Sequence, residues 1–207
     1  MFKIYHGIND KTPITKPIAD EDKAQLAFNM LYSMGDSGCI MTVDGRREKL
    51  MPDALSIMDD EGNTIGRRMD HEWYLGGEEA AKEAGIEAIM KAYKEEGADL
   101  QRETAEEMVE QYTALSYDDD RMRQWFLPKT YDYDKAKDMA TIARFGMDDS
   151  IELYTHKNEK INIRDTSIAN EDGEYLEDPV MPEWIEDGPS FADAVESLSD
   201  DAPVMKQ

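Results

Sequence analysis

The residues able to do chemistry are few and poorly spaced for it. His6, His71 and His156 are the only histidines. None lies in H-E-x-x-H, and no two sit at the i, i+4 spacing of helical metal ligands. His71 falls between Asp70 and Glu72 and would need distant partners to hold a metal. Cys39 is the single cysteine, which rules out an intrachain disulfide or a cysteine zinc site. It lies in the apolar run Cys39–Val43 and reads as a small buried hydrophobe. The Asp-rich turns fail the calcium-loop test. With Gly173 at the sixth position, Ile168 and Pro179 occupy the first and twelfth. With Gly62 there, Ile57 and Arg68 do. Gly76-Gly77 precedes a helix pattern where a phosphate could rest, but Glu78 and Glu79 follow and would repel it. No G-x-x-x-x-G-K-[ST] or G-x-S-x-G occurs. Carboxylates are so numerous that any pair could pass for a glycosidase dyad. No catalytic residue, metal or cofactor is assigned.

Carboxylates in bulk are the dominant feature. There are 47 acids against 23 Lys and Arg, a formal charge of −24, and 34% of residues are charged, against about 25% in ordinary domains. A magnitude of roughly 2–8 suffices for solubility in a small domain. The excess repels itself, attracts basic partners, and disfavours nucleic acid and anionic lipid. Residues 1–58 carry 8 acids and 7 bases, residues 59–164 carry 26 and 15, and residues 165–207 carry 13 and 1. This unevenness argues against halophilic adaptation, which spreads acid evenly. The densest basic pairs, Arg46-Arg47 and Arg67-Arg68, are expected to pair with acids within the chain, with contact to a partner as the alternative.

Two acidic patterns are candidate partner-binding sites. Glu79, Glu83 and Glu87 recur every four residues, as do Glu103 with Glu107 and Glu106 with Glu110. Helical neighbours at this spacing lie about 6 Å apart, close to the step between nucleic-acid phosphates. Each such like-charged pair costs a helix about 0.2–0.5 kcal/mol, so a partner supplying cations is implied. Asp118, Asp119 and Asp120 extend the array, and Tyr131-Asp132-Tyr133-Asp134 mixes acid with aromatic residues. In the C-terminal segment, Tyr175, Trp184, Ile185 and Phe191 are candidate anchors among acids, suited to docking on a basic, partly apolar groove. The blander reading of both patterns is a solvated helix face and a solubilising tail.

In character the chain resembles the DNA-mimic inhibitors that phages and plasmids deploy against restriction enzymes and CRISPR complexes. The resemblance is one of charge content and small size, with no shared motif. It implies a partner whose basic channel holds DNA or RNA, and no direct binding of nucleic acid. The alternatives are an acidic adaptor, chaperone or assembly factor acting through its tail, and an enzyme whose site is not legible.

The expected elements are those of an α+β protein: a small antiparallel sheet packed with a helical layer. Phe2–His6 reads as a strand. Asp20 caps a helix over 20–34, with Ala27, Met30, Leu31 and Met34 as its buried stripe and Gly35 as its left-handed end. Hairpins are expected within a continuous meander over 38–69, one turning at Asp44-Gly45 and the other at Asp59–Asn63. Helices follow over 78–96, over 104–116 with a Thr104–Glu107 capping box, over 119–126, and over 133–145 from an Asp132 cap. A last hairpin spans 150–164. One domain thus covers 1–165, with an acidic, extended or partly disordered tail over 166–207 and a short helix near Ser190–Ser197. No apolar run is long enough for a signal peptide or membrane span, so a cytoplasmic location is expected.

Overall fold

Phe2–His6 is strand β1, with Ile4 and His6 buried on one face. The computed structural model describes residues 1–9, 11–43, 45–70, 77–117, 123–125 and 127–186. β1 pairs antiparallel with β2 (Thr12–Pro13) on one side and β5 (Leu55–Asp59) on the other. β6 (Thr64–Ile65) completes the sheet in the order β2-β1-β5-β6. A second sheet has the order β10-β9-β3-β4, from β3 (Ile40–Val43), β4 (Arg46–Lys49), β9 (Glu152–Tyr154) and β10 (Lys160–Ile161). A third has the order β12-β11-β7-β8, from β7 (Tyr112–Tyr117), β8 (Arg123–Trp125), β11 (Thr166–Asn170) and β12 (Tyr175–Glu177). Among the described residues, four α-helices join them: α1 (Glu21–Asp36), α2 (Gly77–Glu95), α3 (Arg102–Met108) and α4 (Tyr133–Thr141). The described residues form an α+β fold with three small antiparallel sheets, where a single sheet was expected.

α1 forms as its sequence predicts. The Asp20 carboxylate accepts from the Lys23 N–H at 3.0 Å. Glu21 and Asp22 face the positive end of the helix dipole, and Ala24, Ala27, Phe28, Leu31 and Met34 are buried. α1 packs on β1 and β5, α4 packs on β7 and β11, and the two helices touch each other. Their shared core includes Ile4, Leu31, Met139 and Ile168. Asp132 caps α4 as expected, accepting from the Lys135 N–H at 3.1 Å.

Several expectations are corrected. Gly35 is not the left-handed terminus of α1, since Gly38 takes that conformation at φ 81°. The two hairpins of 38–69 form, but β3–β4 joins the second sheet and β5–β6 the first, so there is no continuous meander. The helix expected over 104–116 stops at Met108, and Gln101 rather than Thr104 holds its N-cap position. Tyr112–Tyr117 is instead a strand between β8 and β11. Thr113, Ala114, Leu115 and Ser116 are all fully buried. A strand covered on both faces loses alternation, so its apolar positions imitate helical spacing. The helix expected over 119–126 is likewise replaced at 123–125 by β8.

The extended tail expected from Thr166 is also revised. Thr166–Asn170 is buried strand β11, central to the third sheet. Its polar look hides satisfied hydroxyls. Thr166 Oγ1 donates to the Ile163 carbonyl at 2.7 Å, and Ser167 Oγ donates to Asp178 at 2.6 Å. Farther on, Ile18 and Ile185 form an isolated antiparallel bridge. The short helix expected near Ser190–Ser197 lies outside the described residues. Among those described, no helix is long and apolar enough to cross a membrane.

His6 supplies a pH response. Its ring is buried, and Nε2 accepts from the Met51 N–H at 3.0 Å, which requires that nitrogen to be unprotonated. Nδ1 faces Glu48 at 3.6 Å. Burial pushes the His6 pKa below its ordinary value of 6.5, against the raising pull of Glu48. The unfolded chain therefore takes up this proton more readily, and the stabilisation present above pH 6.5 is lost as pH falls through the depressed value. Urea melts of wild type and His6→Gln from pH 7.5 to 5 should differ in slope by at most about 1.4 kcal/mol per pH unit. The wild type is expected to lose stability faster on acidification. Parallel profiles would show that His6 does not couple to folding.

Candidate protein-binding surface

α2 and α3 carry most of the predicted acidic array. α2 ends at Glu95, and Gly97 just beyond it takes a left-handed φ of 82°. The chain then folds back as α3, which packs on α2. Few of their residues are buried: Ala81 and Ile86 on α2 and Ala105 on α3. Over residues 77–110 the chain carries eleven acids and four bases.

The structure divides this array into compensated and uncompensated carboxylates. Arg102 reaches across from α3 to α2. Its Nη1 donates to Glu83 Oε1 at 2.8 Å, its Nη2 also donates to Glu83, and its Nε donates to Glu106 Oε1 at 2.9 Å. The guanidinium hydrogen bond holds the Glu83 carboxyl below the usual carboxylate range. The Arg102–Glu83 pair thus ties α3 to α2, while Glu106 meets Arg102 within α3. Glu79, Glu87, Glu103, Glu107 and Glu110 have no ion pair among the described residues. Asp118, Asp119 and Asp120 lie outside those residues.

Three arginines elsewhere are engaged within the fold. Arg68 pairs with Asp22 at 2.8 Å and Glu21 at 3.3 Å. Arg67 lies over the Tyr32 ring at 4.0 Å, and Arg47 over Tyr154 at 4.1 Å. Arg68 thus meets acids as expected, whereas Arg67 and Arg47 lie on aromatic rings.

The tail anchors separate in the same way. Tyr175 stands 57% exposed on β12. Trp184 packs against the core with Lys23 5.9 Å from its ring centroid. Ile185 is only 4% exposed and closes the core beside Gly146. A side chain so placed contributes to folding rather than standing free for a partner. Phe191 lies outside the described residues.

The structure adds a cleft of about 730 Å3 between α2 and the segment entering α4. Ala84, Ala88 and Ile89 form part of one wall, and Tyr131 and Tyr133 line the other. Tyr131 Oη accepts from Gln111 Nε2 at 2.8 Å and donates to Glu78 Oε1 at 3.2 Å. Tyr133 meets Tyr112 edge-on, with ring centroids 5.1 Å apart. Burial, with Glu177 beside it, pushes the Tyr133 hydroxyl up to about 12, so it stays a neutral phenol at physiological pH. The acid–aromatic run 131–134 signalled this place in the sequence. The opposing alanines gave no signal, because alanine is also the ordinary helix former.

No group of three or more His, Cys, Asp or Glu suited to a metal ion occurs among the described residues. Burial raises the Cys39 thiol to about 11, which leaves it unreactive at neutral pH. Comparisons with protein-family models, curated proteins and solved structures find no match.

Proposed function

We propose that this protein is an acidic interaction protein that inhibits a nucleic-acid-binding protein. Carboxylates of α2 and α3 take the place of DNA or RNA phosphates in the partner's basic groove, or occlude it. The carrying observation is the set Glu79, Glu87, Glu103 and Glu107, exposed on two packed helices without ion pairs among the described residues. Such a surface repels nucleic acid and speeds encounter with a cationic one.

The test is capture of partners by the tagged protein, followed by challenge with duplex DNA and with salt. DNA is expected to displace the partner, and salt to weaken the complex steeply. The variant E79Q/E87Q/E103Q/E107Q should bind the captured partner about ten- to a hundredfold more weakly, because four attractive charges are removed while the Arg102 clamp is left intact. A partner indifferent to DNA and to these substitutions would overturn the reading.

Truncation after Glu186 separates this function from an adaptor acting through its C-terminal end. It leaves α2, α3 and every described strand in the chain, so binding is expected to persist. A cut at residue 165 would remove β11 from the third sheet and would test only folding.

A further inference from the structure

We propose that the cleft between α2 and the Tyr131–Lys135 segment is a socket for an arginine side chain of the basic partner. This rests on the inhibitor reading above and names the group that the surface grips. The cleft's volume of about 730 Å3 falls in the range of sites that hold ligands. It exceeds the needs of one side chain, so the segment bearing the arginine enters with it.

Three properties of the lining select the occupant. Glu110, Asp132 and Asp134 line it, while its lysine, Lys135, is already paired with Asp70 at 2.7 Å. The balance is negative, which repels nucleotides and other anions and favours a cation. The Ala84 and Ala88 wall suits an aliphatic stem. The Tyr131 and Tyr133 rings suit a flat cation that can stack. Guanidinium meets all three conditions, being planar, weakly hydrated and able to bond carboxylates through its fork. A lysine ammonium gives up more hydration and makes a point contact. The same pairing occurs within the chain, where Arg67 and Arg47 lie over Tyr32 and Tyr154.

The socket is built in advance. A Cβ at Gly85 would stand 2.9 Å from Val109 Cγ2 and 3.1 Å from Tyr131 Cβ. The bare glycine lets α2 press against the opposite wall there. The hydrogen bonds linking Tyr131, Glu78 and Gln111 hold the ring that faces the cleft. Little reorganisation is required on binding.

The experiment titrates the full chain with N-acetyl-arginine methylamide and follows amide shifts by NMR. Its citrulline counterpart, similar in shape but uncharged, and its lysine counterpart serve as comparisons. Saturable shifts are expected at Ala84, Ala88, Tyr131 and Asp134, at least about fivefold weaker for lysine and absent for citrulline. Ala84 and Ala88 are exposed, so A84L/A88L fills the cleft and is expected to abolish the response without lowering Tm. E110Q/D134N should weaken it several-fold. Shifts that survive A84L/A88L, or that are as large at Glu79 and Glu103 as in the cleft, would overturn the socket.

A nona-arginine peptide separates this failure from failure of the parent reading. Equal, salt-sensitive binding to wild type and A84L/A88L would remove the socket and leave the acidic surface standing. Arginine shifts confined to the cleft, together with a partner that ignores E79Q/E87Q/E103Q/E107Q, would leave the socket and remove the mimic.

Discussion

Gly35→Ala is expected to lower the unfolding free energy by about 2–3 kcal/mol, the upper part of the range for overpacking. Helix propensity alone predicts the opposite sign, a gain of about 1 kcal/mol, because Gly35 lies in the last turn of α1. Its backbone is not left-handed, so conformational freedom does not explain the residue. A Cβ there would stand 2.7 Å from the Leu50 carbonyl oxygen and 2.8 and 2.9 Å from two carbons of the Pro52 ring. Neither a backbone oxygen nor a proline ring can swing aside. The end of α1 would have to move off the Leu50–Pro52 segment, loosening Met34 and Leu50, which are almost fully buried. Urea denaturation reads this as a lower midpoint at unchanged m-value. A midpoint equal to or above wild type would show that the segment can withdraw and that propensity governs the site.

Ile185→Ala is expected to cost about 3 kcal/mol, within the usual range for a buried isoleucine truncated to alanine. Ile185 sits twenty-two residues from the C-terminus in a strongly acidic stretch, where a surface substitution would change stability by about 0.5 kcal/mol or less. Its backbone bridges Ile18, the Glu186 N–H donates to the Pro17 carbonyl, and the Ala19 N–H donates to the Trp184 carbonyl. The segment is thus stitched along the strand-like run that enters α1. Truncation after Asp178 should reproduce or exceed the loss. A neutral Ile185→Ala would mean that the segment contributes little to the core.

The Asp20 and Asp132 caps and the α1 stripe were readable because their causes act within a few residues. The hairpin turn at Gly45 was readable for the same reason, and this residue takes the positive φ the turn needs. The strand Tyr112–Tyr117 was not, since its non-alternating pattern arises from burial on both faces by elements distant in the chain. Thr166 and Ser167 looked like tail because a hydroxyl's partner cannot be seen in one dimension. In the acidic array, charge and periodicity were plain. That Arg102 would neutralise Glu83 while leaving Glu79 and Glu87 open depended on how α3 folds back.

Composition and short-range pattern settle the net charge, its concentration toward the C-terminus, the helix caps, the tight turns and the α+β class, because each depends on residue type or on neighbours within a turn or two. The division into three sheets, the use of Gly35 as a contact point, the burial of Ile185 and the cleft facing Tyr131 arise only when distant segments pack. Those contacts link residues tens of positions apart, and the identity of either partner alone carries no record of the other.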